Sequence, residues 1–220
     1  RYITNCSFRT LALSSKASAR YIYVMTPTVF VFERLAALIQ QLVRDDAAQH
    51  GLQPVHMQVL GYLAQANRYS DLSIAVADYL GVTRGTVSQT LTVLERKGLI
   101  ARTPDAHHGR RIHLSLSAAG EAVLKASWAQ RLDLALVGAG CDPGVFANDL
   151  HGVLTALQRL NGRQAFGQCR SCAHFLDEST QFRCGLTREV LAAEQAIKIC
   201  REWTSRSEAC EPAGSSSSAC

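Results

Sequence analysis

Residues 72–120 read LSIAVADYLGVTRGTVSQTLTVLERKGLIARTPDAHHGRRIHLSLSAAG, and the order of their signals decides the fold. Ser73 predicts the cap of a short helix whose apolar residues Ile74, Val76, Ala77 and Leu80 point inward. Gly81 supplies a turn. Thr83 predicts the cap of a second helix running to about Lys97, with Gly98 just past its end.

At about 100° per residue, Val87, Thr90, Leu91 and Leu94 share one side of that second helix. Arg84, Gly85, Ser88, Gln89, Thr92 and Arg96 share the other, and Thr83 and Thr86 lie at its N-terminal end. Arg and Gln can grip base edges with two hydrogen bonds, and Ser and Thr reach bases or phosphates, so this face suits a major groove. A solvated amphipathic helix would show the same two faces. The following segment favours DNA: Leu99 to Arg102 has strand character, and Ile112, Leu114 and Leu116 alternate with His113, Ser115 and Ser117 as a returning strand. Between them lies a polar tip in which His108, Arg110 and Arg111 are placed to reach phosphate or a minor groove. Ser117 then predicts the cap of another helix.

On these residues the chain resembles the MarR family of winged-helix regulators. The resemblance rests on the turn Leu80-Gly81-Val82-Thr83-Arg84, on Leu94-Glu95-Arg96-Lys97-Gly98-Leu99-Ile100, and on the wing. It spans roughly residues 28–162. The family wing usually carries Asp-Arg-Arg followed by Leu-Thr; here Gly109-Arg110-Arg111 and Leu116-Ser117 stand instead, which removes an acidic partner for the wing arginines. The resemblance implies a homodimer that binds a near-palindromic double-stranded DNA operator, usually as a repressor, with N- and C-terminal helices interlocked as the dimer layer.

The 220-residue chain has room for one well-buried domain and a small appendage. Its formal charge of +5 is concentrated where DNA contact needs it. From Thr83 to His113, Arg84, Arg96, Lys97, Arg102, Arg110 and Arg111 face only Glu95 and Asp105. No apolar run approaches the roughly 18 residues of a membrane helix. Amphipathic spacing predicts a helix over Val29–Ala48 with Phe32, Leu35, Ala36, Ile39 and Leu42 on its apolar face, and one over His56–Ala66 with Met57, Leu60 and Leu63. Two more are expected over Glu121–Val137 and Val145–Leu160. Residues 1–27 read as a disordered or over-extended arm, because Met25 is a plausible natural start. Residues 205–220, with Gly214-Ser215-Ser216-Ser217-Ser218, read as a flexible tail.

Residues 163–204 form a second expected unit. Cys169-x2-Cys172, Cys184 and Cys200 offer four thiolates to a metal, with Gly185, Phe175, Phe182 and Trp203 as a surrounding shell. Bound metal would supply folding energy to a segment with little core of its own. Disulfides are disfavoured for a regulator expected in the reducing cytoplasm. Free buried cysteines and a reversible thiol switch are the competing readings. One CxxC with two separated cysteines fits an iron–sulfur cluster at least as well as Zn2+; His174 is a further ligand candidate, though such a histidine more often stands beside ligands than among them. Cys6, Cys141, Cys210 and Cys220 fall outside the set.

The expected fold is mainly α with a small β-wing: a winged helix-turn-helix, dimerisation helices at both ends, and a four-cysteine metal-binding appendage. The expected function is sequence-specific transcriptional regulation, redox- or metal-responsive through the cysteines. The alternative is a regulator answering to a small aromatic effector, with a purely structural zinc site. Neither a Ser-His-Asp set, a Walker loop nor a GxGxxG motif is present, and the CxxC lacks a βαβ context, so catalysis is not expected.

Overall fold

Helix α1 (Pro27–Gln49) leads into a computed structural model that describes residues 26–106, 109–125 and 127–206. It is followed by α2 (Pro54–Gln65), α3 (Ser73–Leu80), α4 (Arg84–Arg96), β1 (Ile100–Pro104), β2 (Ile112–Leu116), α5 (Ala118–Lys125), α6 (Trp128–Gly138) and α7 (Pro143–Leu160). The C-terminal segment is mostly short strands: β3 (Gly167–Gln168), a 3-10 turn over Cys169–Ser171, β4 (Phe175–Asp177), β5 (Phe182–Cys184), β6 (Val190–Leu191), α8 (Ala193–Ala196) and β7 (Ile199–Cys200). Strands pair antiparallel as β1-β2, β3-β7 and β4-β5-β6. The mainly helical fold with a small wing matches the expectation. The readings of residues 1–25, His108 and residues 207–220 lie outside the described residues. Among those described, no helix is long and apolar enough to cross a membrane. The chain divides into residues 1–37 and 38–220, and each is described by itself.

In the first unit, α1 begins with Val29, Phe30, Phe32 and Leu35 all exposed. In the second, the core is built from α2, α3 and α4. Met57, Val59, Leu60 and Leu63 of α2 meet Ala75 and Val76 of α3 and Val87, Leu91 and Leu94 of α4, all buried. Each such Val, Leu or Met side chain contributes about 1.5–3 kcal/mol on burial. Gly81, at φ 65°, adopts the left-handed conformation that ends α3 and turns the chain into α4.

Three local expectations are corrected. Ser73 is the first residue of α3 rather than its cap; Leu72 holds the cap position, without a side-chain hydrogen bond. The buried stripe of α1 is Val43, Asp46 and Ala47, leaving Phe32, Leu35 and Ala36 exposed and Ile39 and Leu42 half-buried. The single helix expected over Glu121–Val137 is two. The break lies before Trp128, because the buried Asp46 carboxylate accepts the Trp128 amide and pairs with Arg131, satisfying a new helix start from outside.

Gly120 sits in α5 against the β1 entry. A Cβ there would lie 2.1 Å from the Leu99 carbonyl oxygen, closer than any side chain can approach backbone. Ser117 fastens the same junction: its Oγ donates to the Gly98 carbonyl at 2.6 Å and accepts the Gly120 amide at 3.1 Å, as expected of the cap.

The cysteine segment is continuous with the winged helix rather than hanging from it. Ala66, just beyond α2, bridges to Ile199, and the Asn67 amide donates to the Ile199 carbonyl at 3.0 Å. Arg201 donates its backbone amide to Ser70 Oγ at 2.7 Å and pairs with Asp78 of α3 at 2.9 Å.

Candidate functional site

Helix α4 is anchored as the sequence implies. Thr83 accepts the Thr86 amide at 3.2 Å, and the buried residues of the helix are Val87, Thr90, Leu91 and Leu94. Thr83, Arg84, Gly85, Thr86, Ser88, Gln89, Thr92 and Arg96 are all exposed. The structure therefore gathers these eight candidate contacts on or just before one open helix. Thr92 Oγ1 donates back to the Ser88 carbonyl at 2.9 Å, which fixes its rotamer on that face.

The wing places Arg110 and Arg111 exposed beside its tip, and the Asp105 amide donates to the Arg111 carbonyl at 2.9 Å. Arg102, counted in the basic excess, pairs with Glu95 at 3.0 Å and ties β1 to α4. Sequence reasoning missed what holds the wing in place of the absent acidic neighbour. His113 of β2 bridges two carboxylates, Asp71 Oδ1 to Nδ1 at 2.7 Å and Asp105 Oδ2 to Nε2 at 2.9 Å. Asp71 also accepts the Leu114 amide on its carbonyl at 2.8 Å.

The hydrogen bonds to Asp105 and then Asp71 push the His113 imidazole above its ordinary value of 6.5, which favours the doubly protonated ring. Burial pushes the Asp71 carboxyl up, only partly offset by His113. Because the folded histidine value is raised, its stabilisation is complete below 6.5 and is lost as pH rises through the raised value. His113→Gln should cost about 2 kcal/mol on the acid side of neutrality. The cost should shrink as pH rises, as read by urea denaturation of both proteins across a pH series.

The four cysteines of the second candidate site meet at one cavity. Cys169 opens the 3-10 turn and Cys172 follows it, and the Cys172 amide donates to the Cys169 carbonyl at 2.9 Å. Cys184 ends β5 and Cys200 ends β7. Cys169, Cys172 and Cys200 are buried in a small core with Leu191 and Trp203, against which Phe175, Phe182 and Cys184 pack. The expected aromatic shell is present, and the cysteines themselves are much of that core. Trp203 donates its indole N–H to Ser171 Oγ at 3.0 Å.

All four cysteines line a cavity of about 240 Å3, together with His174, Arg111 and His113 from the wing. Among the described residues, no group of three or more His, Cys, Asp or Glu side chains is placed to hold a metal ion. Asn67, wholly buried, donates Nδ2 to Cys169 Sγ at 3.1 Å, a contact with no sequence signal. The Cys169–Cys200 hydrogen bond, reinforced by burial, pushes the Cys169 thiol up. The same bond, with Asn67 and the Glu202 amide, pulls Cys200 down.

Residues 50–111, from the end of α1 to the wing, match the family model described as MarR family. The match to a MarR-family domain covers these 62 of the 220 residues. No curated protein matches the chain. Among solved structures, S. aureus MepR in its DNA-binding conformation is similar at 23% identity and a TM-score of 0.52, over 61% of this chain and 99% of that one. This likeness establishes the MarR winged-helix fold. S. aureus MepR in complex with DNA aligns at 22% identity and TM-score 0.46, over 62% and 99% of the two chains. CouR from Rhodococcus jostii RHA1, bound to p-coumaroyl-CoA, aligns at 21% and 0.47, over 60% and 91%.

Proposed function

We propose that the protein is a sequence-specific DNA-binding transcriptional regulator, acting as a homodimeric repressor, whose four-cysteine site carries an iron–sulfur cluster and makes it redox- or metal-responsive. The observation that carries DNA binding is the exposure of every candidate contact on α4, backed by a buried face of opposite composition. The relative MepR, solved in a DNA-binding conformation, supports the same reading. Apolar residues left exposed support the dimer: Val29, Phe30 and Phe32 on α1, and Leu134, Val137 and Leu157 on α6 and α7. A dimer would set two α4 helices about one DNA turn, roughly 34–36 Å, apart.

Selection from a random duplex library tests this reading. An enriched, near-palindromic sequence is expected. Gln89→Ala should then lose about 10- to 100-fold in discrimination at one base pair. Arg110→Ala should weaken all sequences alike and lower the salt slope by about one. An unchanged slope in Arg110→Ala would remove the wing from the interface.

The choice of cluster over zinc follows the spacing of the cysteines: one CxxC with the separated Cys184 and Cys200, rather than two paired knuckles. Cys169, Cys172, Cys184 and Cys200 would hold the cluster, and Asn67 would donate to the Cys169 sulfur. When bound, the cluster would supply a one-electron redox change. Anaerobic purification should give coloured protein with labile sulfide, and Cys172→Ser with Cys184→Ser should lose both iron and sulfide. Colourless protein with stoichiometric zinc would replace the cluster with a structural site.

A second reading has its own observation. A cavity of about 600 Å3 lies between α1, α2 and the start of α6, lined by Val43, Met57, Tyr62, Tyr79, Leu80 and Trp128. Its size and aromatic lining suit a small aromatic effector. Quenching of Trp128 fluorescence by such a compound, with Trp203→Phe as background, separates this reading from the first.

A further inference from the structure

We propose that the connector between α2 and α3, residues 66–72, reports the state of the cysteine site to the wing, with Asn67 as the positioning residue. The proposal rests on reading the cysteines as a responsive site, and it adds the route by which they reach the DNA-binding surface.

The connector has a cysteine sulfur at one end and the wing at the other. Asn67 is wholly buried. Its Nδ2 donates to Cys169 Sγ at 3.1 Å, and its Oδ1 accepts the Tyr69 amide at 3.0 Å. Its backbone carbonyl accepts the amides of Ser70 at 2.9 Å and Asp71 at 3.1 Å. One residue thus sets the conformation of the turn that delivers Asp71. Asp71 then holds the wing twice, through His113 at 2.7 Å and through the Leu114 amide at 2.8 Å. His113 carries the connection to Asp105 at the wing tip at 2.9 Å. An amide N–H donates to a thiolate or metal-bound sulfur more strongly than to a neutral thiol, because the acceptor is charged. A change at Cys169 therefore changes the bond made by Asn67, whose other bonds shape the turn.

Two further features point the same way. Arg111 and His113 line the cavity that the four cysteines share, so the wing forms part of its wall. The connector is also clamped from the C-terminal segment at both flanks, by Arg68 to Glu189 and by Arg201 to Ser70 Oγ. The segment thus grips the connector, and through Arg201 it also holds Asp78 of α3.

The test uses the full chain, reduced and metal-free, and reads amide hydrogen exchange in residues 100–104 and 112–116. Cys169→Ala and Asn67→Ala should each speed wing exchange by about tenfold, while α6 keeps its wild-type rates. In an Asp71→Asn background, adding Cys169→Ala should speed the wing no further. Should Asn67→Ala fail to fold, Asn67→Ser provides the same comparison. Wild-type wing rates in the folded variants, or equal acceleration of wing and α6, would overturn the route. Iron and sulfide analysis of the wild-type protein separates this result from the cluster reading. Retained iron and sulfide with an unresponsive wing sinks the route alone. A responsive wing in protein that takes up no iron supports the route and sinks the cluster alone.

Discussion

Gly120→Ala is expected to destabilise the protein by about 3 kcal/mol and to lower Tm by about 6–10 °C. The sign is the reverse of the ordinary one. Alanine exceeds glycine in helix propensity by about 1 kcal/mol, so a Gly→Ala change inside a helix normally stabilises. Here the new Cβ would meet the Leu99 carbonyl oxygen at 2.1 Å, and that oxygen belongs to backbone that cannot swing away. The same carbonyl accepts the Ser117 amide at 3.1 Å, so moving it also breaks the bond that leads from the wing into α5. Overpacking therefore outweighs propensity. Gly152→Ala in α7 is the control: nothing lies within 4 Å of its added Cβ, and stability should rise by about 0.5–1 kcal/mol. Thermal denaturation of both variants checks the pair, and a stabilised Gly120→Ala would show the β1–α5 junction to be looser than described.

Asp46→Ala should cost about 3 kcal/mol, near the lower end for breaking a buried ion pair. The Asp46 side chain is 3% exposed, whereas Arg131 is 48% exposed and can return to water once its partner is gone. The larger loss falls on the Trp128 amide, which starts α6 with Asp46 as its acceptor. Asp46→Asn retains a carbonyl oxygen for that amide and should cost about 1 kcal/mol. Urea denaturation with unchanged slope would attribute both losses to the native state. Equal losses in the two variants would instead assign the energy to charge rather than to the cap.

The helix-turn-helix is legible in the sequence because its determinants are local. Thr83 and the alternation of Val87, Thr90, Leu91 and Leu94 with polar residues lie within one helix, and the structure buries those four. Met57, Leu60 and Leu63 of α2 follow the same logic. The break before Trp128 is not legible, since its cap comes from Asp46 on α1, far away in sequence. Asn67 is hidden for a related reason. A lone asparagine in a turn reads as turn chemistry, and nothing local announces a sulfur 102 residues later. The His113 bridge left a faint trace: Asp105 and His113 flank one hairpin, at positions that β1–β2 pairing brings together. The gathering of the four cysteines followed from CxxC and composition, but the size of their cavity did not.

The bond from the Arg201 amide to Ser70 Oγ spans 131 residues. A chain made from its N-terminus completes α2, α3, α4 and the wing well before β7 exists. Contacts of such long sequence separation form late and slowly, because loop closure must precede them. The winged helix is thus assembled first, and the connector takes its final shape only when the last strand arrives. Each newly made molecule passes through a stage in which α4 is complete and the cysteine segment is not yet fastened to the connector.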